Sequence, residues 1–479
     1  MRREFFIYFL AFFAGAILAY NLRNLIILML FFCLLAGLSF FLLKNFKKSI
    51  IIIAMFTIGV FIILLNDYHT YKFISEYSSE KPKYMTVKVS DSFCSASGIL
   101  SLKVKPCGGV SHCGKFLIYS KDRRYTNKPY NLIGCKIKIF CSLDTPSYIK
   151  GSTKFNSRTY QMSRGIFLTG FTPKIEIKNL KTSLTSTFKR KILIKRNEFI
   201  ENINTTAAVK SFISGVLFGD KSDLPDEIYR EFQGNGTAHI LAVSGLHIGI
   251  IYSVYASIKR RFKSKIITIL FIVFLLLYGT VTLWSPSVTR AIFLIFIKLY
   301  ADERCLKFDL VNALSLIAFI IILKTPYMLF NISFQLSFLA VYSIAFFSPL
   351  LSTHCSPMIS AMLAVQLGLY PYFAYVFNSF SPISLLCNPL IIFLTSLLVP
   401  TALFNMLSFL VFGFSPAYIS FLLSALSVLT IKINRIFFFG GNFIFHVNSP
   451  PLILLILFYS LIFFFSSEKF LIYILRRKV

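Results

Sequence analysis

The sequence predicts a polytopic α-helical membrane protein with an inserted small all-β extracytoplasmic domain. Three observations lead there: an apolar composition, apolar runs that recur near membrane-crossing length, and one long polar, basic interruption. The 479 residues are 56% hydrophobic, 17% aromatic and only 14% charged. Their mean hydropathy of +0.71 lies outside the range of soluble globular domains.

Apolar runs recur at residues 5–20, 25–43, 49–65, 266–281, 308–323, 334–350, 356–377, 383–411, 417–430 and 450–466. A helix rising ~1.5 Å per residue needs roughly 20 residues to cross the hydrocarbon, and many of these runs approach that length. They lack the period-two alternation of barrel strands, so helices must satisfy the backbone in lipid. About ten to twelve spans are expected. Arg2 and Arg3 before the first run also suit a secretory signal, but the second run follows so closely that a retained hairpin is the better reading. With Arg2, Arg3, Lys44, Lys47 and Lys48 inside, the start of the polar stretch falls outside. The clusters at 259–265 and 304–307 then fit the cytoplasm, whereas charges beyond residue 380 are too sparse to fix topology. Four parts result: N-terminal membrane helices (1–65), the external domain (66–180), a basic amphipathic connector (181–204) lying along the membrane, and a membrane domain (205–479).

Short strand-like runs in the external part, Tyr84–Val89, Lys115–Tyr119 and Cys135–Cys141, are separated by Gly, Ser, Pro and Asn clusters, as in a small barrel or sandwich. Residues 66–201 hold 25 Lys and Arg against 9 Asp and Glu, an excess of +16 within the whole chain's +31. A solvated face is one meaning of such charge, and attraction of phosphate or anionic lipid is the other. Cys94, Cys107, Cys113, Cys135 and Cys141 all fall here, and outside the cytosol disulfides among them are expected. Cys135 and Cys141, ~20 Å apart along one strand, are too distant to bridge each other. No C-x-x-C pair supports a zinc site. Neither metal nor cofactor is expected.

The next stretch places Asp220, Lys221, Asp223, His239, Ser244, Gly245 and His247 in or beside apolar sequence. Ionisable groups in hydrocarbon cost roughly 2.5–3.5 kcal/mol each on the insertion scale, so they usually face a cavity, a pore or a partner. GVLFGDKS imitates a phosphate loop, but Asp220 separates Gly219 from Lys221, and no ATP site is implied. The Ser244-Gly245 pair suggests a broken or kinked helix.

Five segments in order, Gly215–Pro225 (GVLFGDKSDLP), Thr237–Gly249 (TAHILAVSGLHIG), Ser285–Ala291 (SPSVTRA), Phe334–Ala340 (FQLSFLA) and Asn388-Pro389, resemble the successive signatures of the ComEC competence family. The resemblance covers roughly residues 205–465. Phe155–Gly170 after Gly134 is similar to the end of that family's OB-like external domain. The resemblance implies a plasma-membrane channel that passes a single strand of DNA during natural transformation, in a bacterial inner membrane and without catalytic chemistry of its own. It also implies membrane lipids and an extracytoplasmic DNA receptor as partners, together with a cytoplasmic motor or single-strand-binding proteins; self-association is a further expectation. Many relatives append a metallo-β-lactamase-like nuclease. The six histidines here form no His-x-His-x-Asp-His cluster, so a separate nuclease is expected.

The channel-lining or DNA-contacting candidates are Asp220, Lys221, His239, Ser244, His247, Arg290, Gln335 and Asn388. His239 and His247 would lie about 80° apart on one ideal helix, poorly placed to share a metal. Ser244 and His247 are spaced to bond each other. Arg290 suits either a phosphate or an ion partner, with Asp220 the candidate acid or else a turn cap. Most of the 55 Phe residues read as lipid-facing bulk, though aromatics in a channel stack bases at ~1–3 kcal/mol each. A small-solute transporter and a membrane-embedded hydrolase using Ser244 or His247 are the alternative functions. The basic external domain disfavours the first, and the lack of a recognisable orienting acid disfavours the second.

Overall fold

The computed structural model describes residues 3–22, 46–94, 98–108, 114–125, 129–146, 156–179, 183–353, 355–438 and 444–465. The run at 25–43, Cys113 and His112 lie outside them. Among the described residues six helices are long and apolar enough to cross a membrane, and four more apolar helices are shorter, at 10–17 residues. Several of the expected spans are therefore helices of less than membrane-crossing length.

Helices α1 (Glu4–Leu22) and α2 (Phe46–Tyr77) form a closely packed pair. Gly15 and Gly59 set that closeness: a Cβ on either would overlap a carbonyl oxygen of the opposite helix, that of Phe56 or of Phe12. Small residues let helix backbones approach, and dispersion contacts hold them where lipid supplies no hydrophobic drive. Around the crossing, Phe12, Ala16 and Phe56 are buried.

Six strands follow: β1 (Ser79–Cys94), β2 (Leu100–Pro106), β3 (Lys115–Ser120), β4 (Lys136–Leu143), β5 (Ile166–Thr172) and β6 (Glu176–Asn179). The three strand-like runs read from the sequence fall in or at the start of β1, β3 and β4. Their order in the sheet is β5-β3-β2-β1-β4-β6, antiparallel except for the β3–β5 pair. The sheet curls, because Asp144 just past β4 bridges Thr169 of β5. Alternation puts Val87, Val89, Leu102, Val104, Ile137 and Ile139 inside. Cys135 and Cys141 are buried there as free thiols, and Cys107 is an exposed one. These three carry no disulfide, contrary to expectation: two side chains that read as bridge-formers serve as small apolar core groups. Cys94 ends β1, opposite Leu100.

The domain does not hang from a loose tether. Phe73 of α2 is fully buried in its core, and Tyr327, in the 3₁₀ turn Pro326–Phe330, packs into the same cluster. Asn331 donates to Ser163 Oγ at 2.7 Å, from the end of α3 (Ser157–Ser163). The connector forms α4 (Leu184–Asn202), capped by Ser183. It is more than a surface helix, since Leu193, Arg196, Phe199 and Ile200 are buried.

The membrane domain continues with α5 (Ala207–Phe218), α6 (Asp226–Gly234), α7 (Gly245–Arg261), α8 (Lys265–Val281), α9 (Pro286–Glu303), α10 (Leu310–Lys324), α11 (Ile332–Leu351), α12 (Pro357–Phe377), α13 (Ser384–Phe412), α14 (Ala417–Phe437) and α15 (Leu452–Phe465). Its largest apolar core joins α4, α5, α6, α13 and α14 through Phe199, Phe212, Phe232, Ile391, Val399 and Leu423.

Candidate functional site

The candidate residues divide among three places. Helix α5 ends at Gly219, whose φ of 73° is the left-handed conformation that closes a helix. The chain then turns so that Asp220 meets the connector: Arg196 Nη2 donates to Asp220 Oδ2 at 2.6 Å and to the Tyr130 hydroxyl at 3.0 Å. The Arg196 side chain is only 3% exposed and that of Asp220 25%. The guanidinium also lies over the rings of Tyr130 and Phe218, while Ser222 donates from N and Oγ to Asp220 Oδ1. One ion pair thus ties the β domain, the connector and the first turn of the membrane domain together. Asp220 is not the partner of Arg290, which corrects the expected pairing. Lys221 instead lies over the Tyr229 ring at 5.0 Å.

The second place is the start of α7. Ser244 is its N-cap, and the Leu246 N–H donates to Ser244 Oγ at 3.2 Å. The Ser244 N–H donates to His247 Nδ1 at 3.0 Å, which completes a reciprocal cap with histidine where Glu or Gln commonly stands. As an acceptor, Nδ1 leaves the proton of the neutral ring on Nε2, and that buried Nε2 has no partner among the described residues. The sequence expectation that Ser244 and His247 bond each other holds. His239 lies in the turn before α7 rather than on the same helix, so the two histidines do not share an ideal helical geometry. His239 is exposed, with Nδ1 3.2 Å from the Gly236 carbonyl.

Arg290 reaches the same helix end. On α9 it is 6% exposed, it donates from Nη1 to the Ser337 carbonyl, and it lies over the Phe338 ring at 5.8 Å. A Cβ at Gly245 would sit 2.6 Å from Arg290 Nη2. In the Ser-Gly-Leu-His run, Ser caps the helix, Gly leaves room for the guanidinium and His closes the cap. Among the described residues no carboxylate lies within ion-pair distance of Arg290, and its Nε has no partner. A buried cation therefore faces the positive end of a helix, compensated among the described residues by a carbonyl and a ring face.

The third place is a polar seam among α11, α12 and α13. Tyr372 donates to Gln335 Oε1, while Gln335 Nε2 donates to the Leu329 carbonyl at 2.8 Å. Tyr370 and Ser384 hydroxyls lie 3.0 Å apart. Gly236, at φ 71°, brings the turn that holds His239 against Ser384, where a Cβ would lie 3.0 Å from the Ser384 Cβ. Asn388, one turn on, is buried with Oδ1 unpartnered among the described residues. Sequence reasoning missed Arg196, Tyr130 and the buried network in which Asn235 and Thr237 both donate to Asn434 Oδ1, at 3.1 and 2.7 Å. The GNGT turn contains two of these, but Asn434 lies 197 residues beyond Thr237.

Outside the bundle, the outer face of the sheet is basic. Register places Lys88 directly opposite both Lys105 and Lys136, so three lysines stand side by side on adjacent strands. Beside them Tyr84 and Phe140 pair at 4.7 Å, both exposed, with Lys138 over the Tyr84 ring at 4.3 Å. On the neighbouring strands Lys103 is largely covered, and burial pushes its pKa down to about 8; Arg164 and Lys115 add to the shift, and Asp91, 3.8 Å away, opposes it.

Residues 216–469 match the profile of the Competence protein family. The chain belongs to the ComEC family of competence proteins. The match takes in every membrane-domain candidate from Asp220 to Asn388. The chain is 31% identical over 228 residues to ComE operon protein 3 of Bacillus subtilis (strain 168), which is 46% of this chain and 29% of that protein. It is 29% identical over 250 residues to an uncharacterized protein of Aquifex aeolicus (strain VF5), which is 51% of this chain and 55% of the relative. The ComEC-family chain thus spans less than two thirds of the length of either relative. No solved structure matches it.

Proposed function

We propose that this multi-pass protein of the bacterial plasma membrane is the channel through which one DNA strand enters during natural transformation, with the β domain on the outer side. Beyond family membership, the row of Lys88, Lys105 and Lys136 carries the reading. Like charges directly opposite on paired strands repel, and a polyanion laid across them relieves that repulsion and releases its own counterions. The adjacent Tyr84–Phe140 pair offers a surface on which bases stack at ~1–3 kcal/mol each. Within the bundle, Arg290 contacts phosphate, and the seam of His239, Gln335 and Asn388 lines the path. Asp220 joins the receiving domain to the channel. No chemistry is assigned to Ser244 or His247, whose hydrogen bonds serve the helix cap. A separate nuclease, an outer DNA receptor and a cytoplasmic motor or single-strand-binding protein complete the pathway.

The test has two arms. The full chain in detergent is titrated with a labelled oligonucleotide over a range of salt; binding without sequence preference that weakens as salt rises is expected, and the triple change of Lys88, Lys105 and Lys136 to Gln lowers the salt slope. Cells lacking the chain should take up no labelled DNA, and restoring it should restore entry. Salt-insensitive binding removes the domain from the DNA path, and normal uptake without the chain removes the channel role altogether.

A further inference from the structure

A groove of about 670 Å³ runs between the C-terminal half of α4 and the end of α13, lined on one side by Lys195, Glu198, Glu201 and Asn202 and on the other by Phe409 and Leu410. We propose that it binds the headgroup of a zwitterionic aminophospholipid, phosphatidylethanolamine in chemical class. Its position suits an amphiphile. Helix α13 has 29 residues, more than the roughly 20 that span the hydrocarbon, so its end reaches the headgroup layer. There Leu410, Val411, Phe412 and Phe414 are each more than half exposed, a surface suited to acyl chains rather than water.

The charges specify the headgroup. Lys195 pairs with Glu198 at 2.7 Å, and Glu201 with Lys210 at 3.0 Å. An anionic lipid that took Lys195 would strand the Glu198 carboxylate beside its phosphate. A zwitterion re-pairs both, with phosphate on Lys195 and ammonium between Glu198 and Glu201, so no charge is left over. A primary ammonium donates three N–H bonds to those carboxylates, whereas a quaternary choline donates none. Charge-assisted bonds of ~1.5–3 kcal/mol then favour ethanolamine over choline by roughly tenfold or more.

The experiment uses the full chain in mild detergent with dioleoyl phosphatidylethanolamine, phosphatidylcholine and phosphatidylglycerol added in equal amounts, and retained lipid is counted by native mass spectrometry. The expected result is about tenfold enrichment of ethanolamine over choline lipid in the wild type. The double variant E198Q/E201Q, both on an exposed part of α4, should lose that preference with its elution volume and helix content unchanged. K195Q should weaken retention of the ethanolamine lipid as well. Equal retention of all three lipids, preference for the glycerol lipid, or an ethanolamine preference that survives E198Q/E201Q would each overturn the assignment. Oligonucleotide binding by the same samples is read separately, so loss of the lipid preference does not bear on the DNA reading.

Discussion

Breaking the Arg196–Asp220 pair should cost unequal amounts depending on which partner is removed. Loss of one member of a buried pair typically costs ~3–5 kcal/mol, because the other charge is left uncompensated. The Asp220→Asn change leaves the charge of Arg196, whose side chain is 3% exposed, with neutral acceptors such as the Tyr130 hydroxyl and no counter-ion among the described residues, so the full ~3–5 kcal/mol applies. The Arg196→Met change leaves Asp220 25% exposed and still accepting two bonds from Ser222; water and those donors reduce the cost to roughly 1–3 kcal/mol. With both changed, no charge is stranded and much of the loss returns. Thermal unfolding of the full chain in detergent should rank wild type first, then the double variant, then Arg196→Met, then Asp220→Asn. A double variant whose loss equals the sum of the single losses would show that the two residues do not act as a pair, and the inference that they join the β domain to the membrane helices would go with it.

Three further outcomes follow from the same geometry. Gly59→Ala sets a Cβ against the Phe12 carbonyl, an overpacking worth ~1–3 kcal/mol, and should lower membrane abundance while Thr57→Ala on the exposed face does not; equal abundance would mean the crossing is not tight. Because Lys103 has its pKa lowered to about 8 from an unfolded value near 10.4, the unfolded state binds more protons between those values, so stability should rise with pH from about 8 to 10.4, by at most ~1.4 kcal/mol per unit. Lys103→Met should raise the melting temperature at pH 7 and flatten that slope, and an unchanged profile would refute the burial argument. Among the described residues Arg290→Leu strands no carboxylate, since Asp220 pairs with Arg196, so protein abundance should be retained while labelled DNA entry falls; normal entry would reduce Arg290 to packing.

The architecture was legible where periodicity and length carry it. Apolar runs marked α2, α11, α13 and α14, and alternation marked β1, β3 and β4, because burial on one face leaves a period in the sequence. The cap of α7 was legible too, since Ser244 and His247 are three apart and the bond is local. Long-range partners were not. Arg196 sits in a run of five cations from Lys189 to Arg196 broken only by Ile192, Leu193 and Ile194, and nothing local says which of them turns inward; the turn of α4 that places it beside Leu193 and Phe199 decides that. Asp220 found Arg196 rather than Arg290 for the same reason. Cysteine count suggested oxidation, yet at Cys135 and Cys141 the strand alternation that points them inward was the stronger signal.

Helix α2 belongs to two bodies at once. Its 32 residues extend about 48 Å, well beyond the hydrocarbon, and the protruding end carries Phe73 into the centre of the β domain. Helix and domain are therefore one stiff lever with its fulcrum at the Gly15–Gly59 crossing. A pull on the sheet would not swing a tethered domain; the load would pass down α2 as a tilt. Arg196, bonded to Tyr130, and Tyr327, packed into the same core as Phe73, are the stays that resist it.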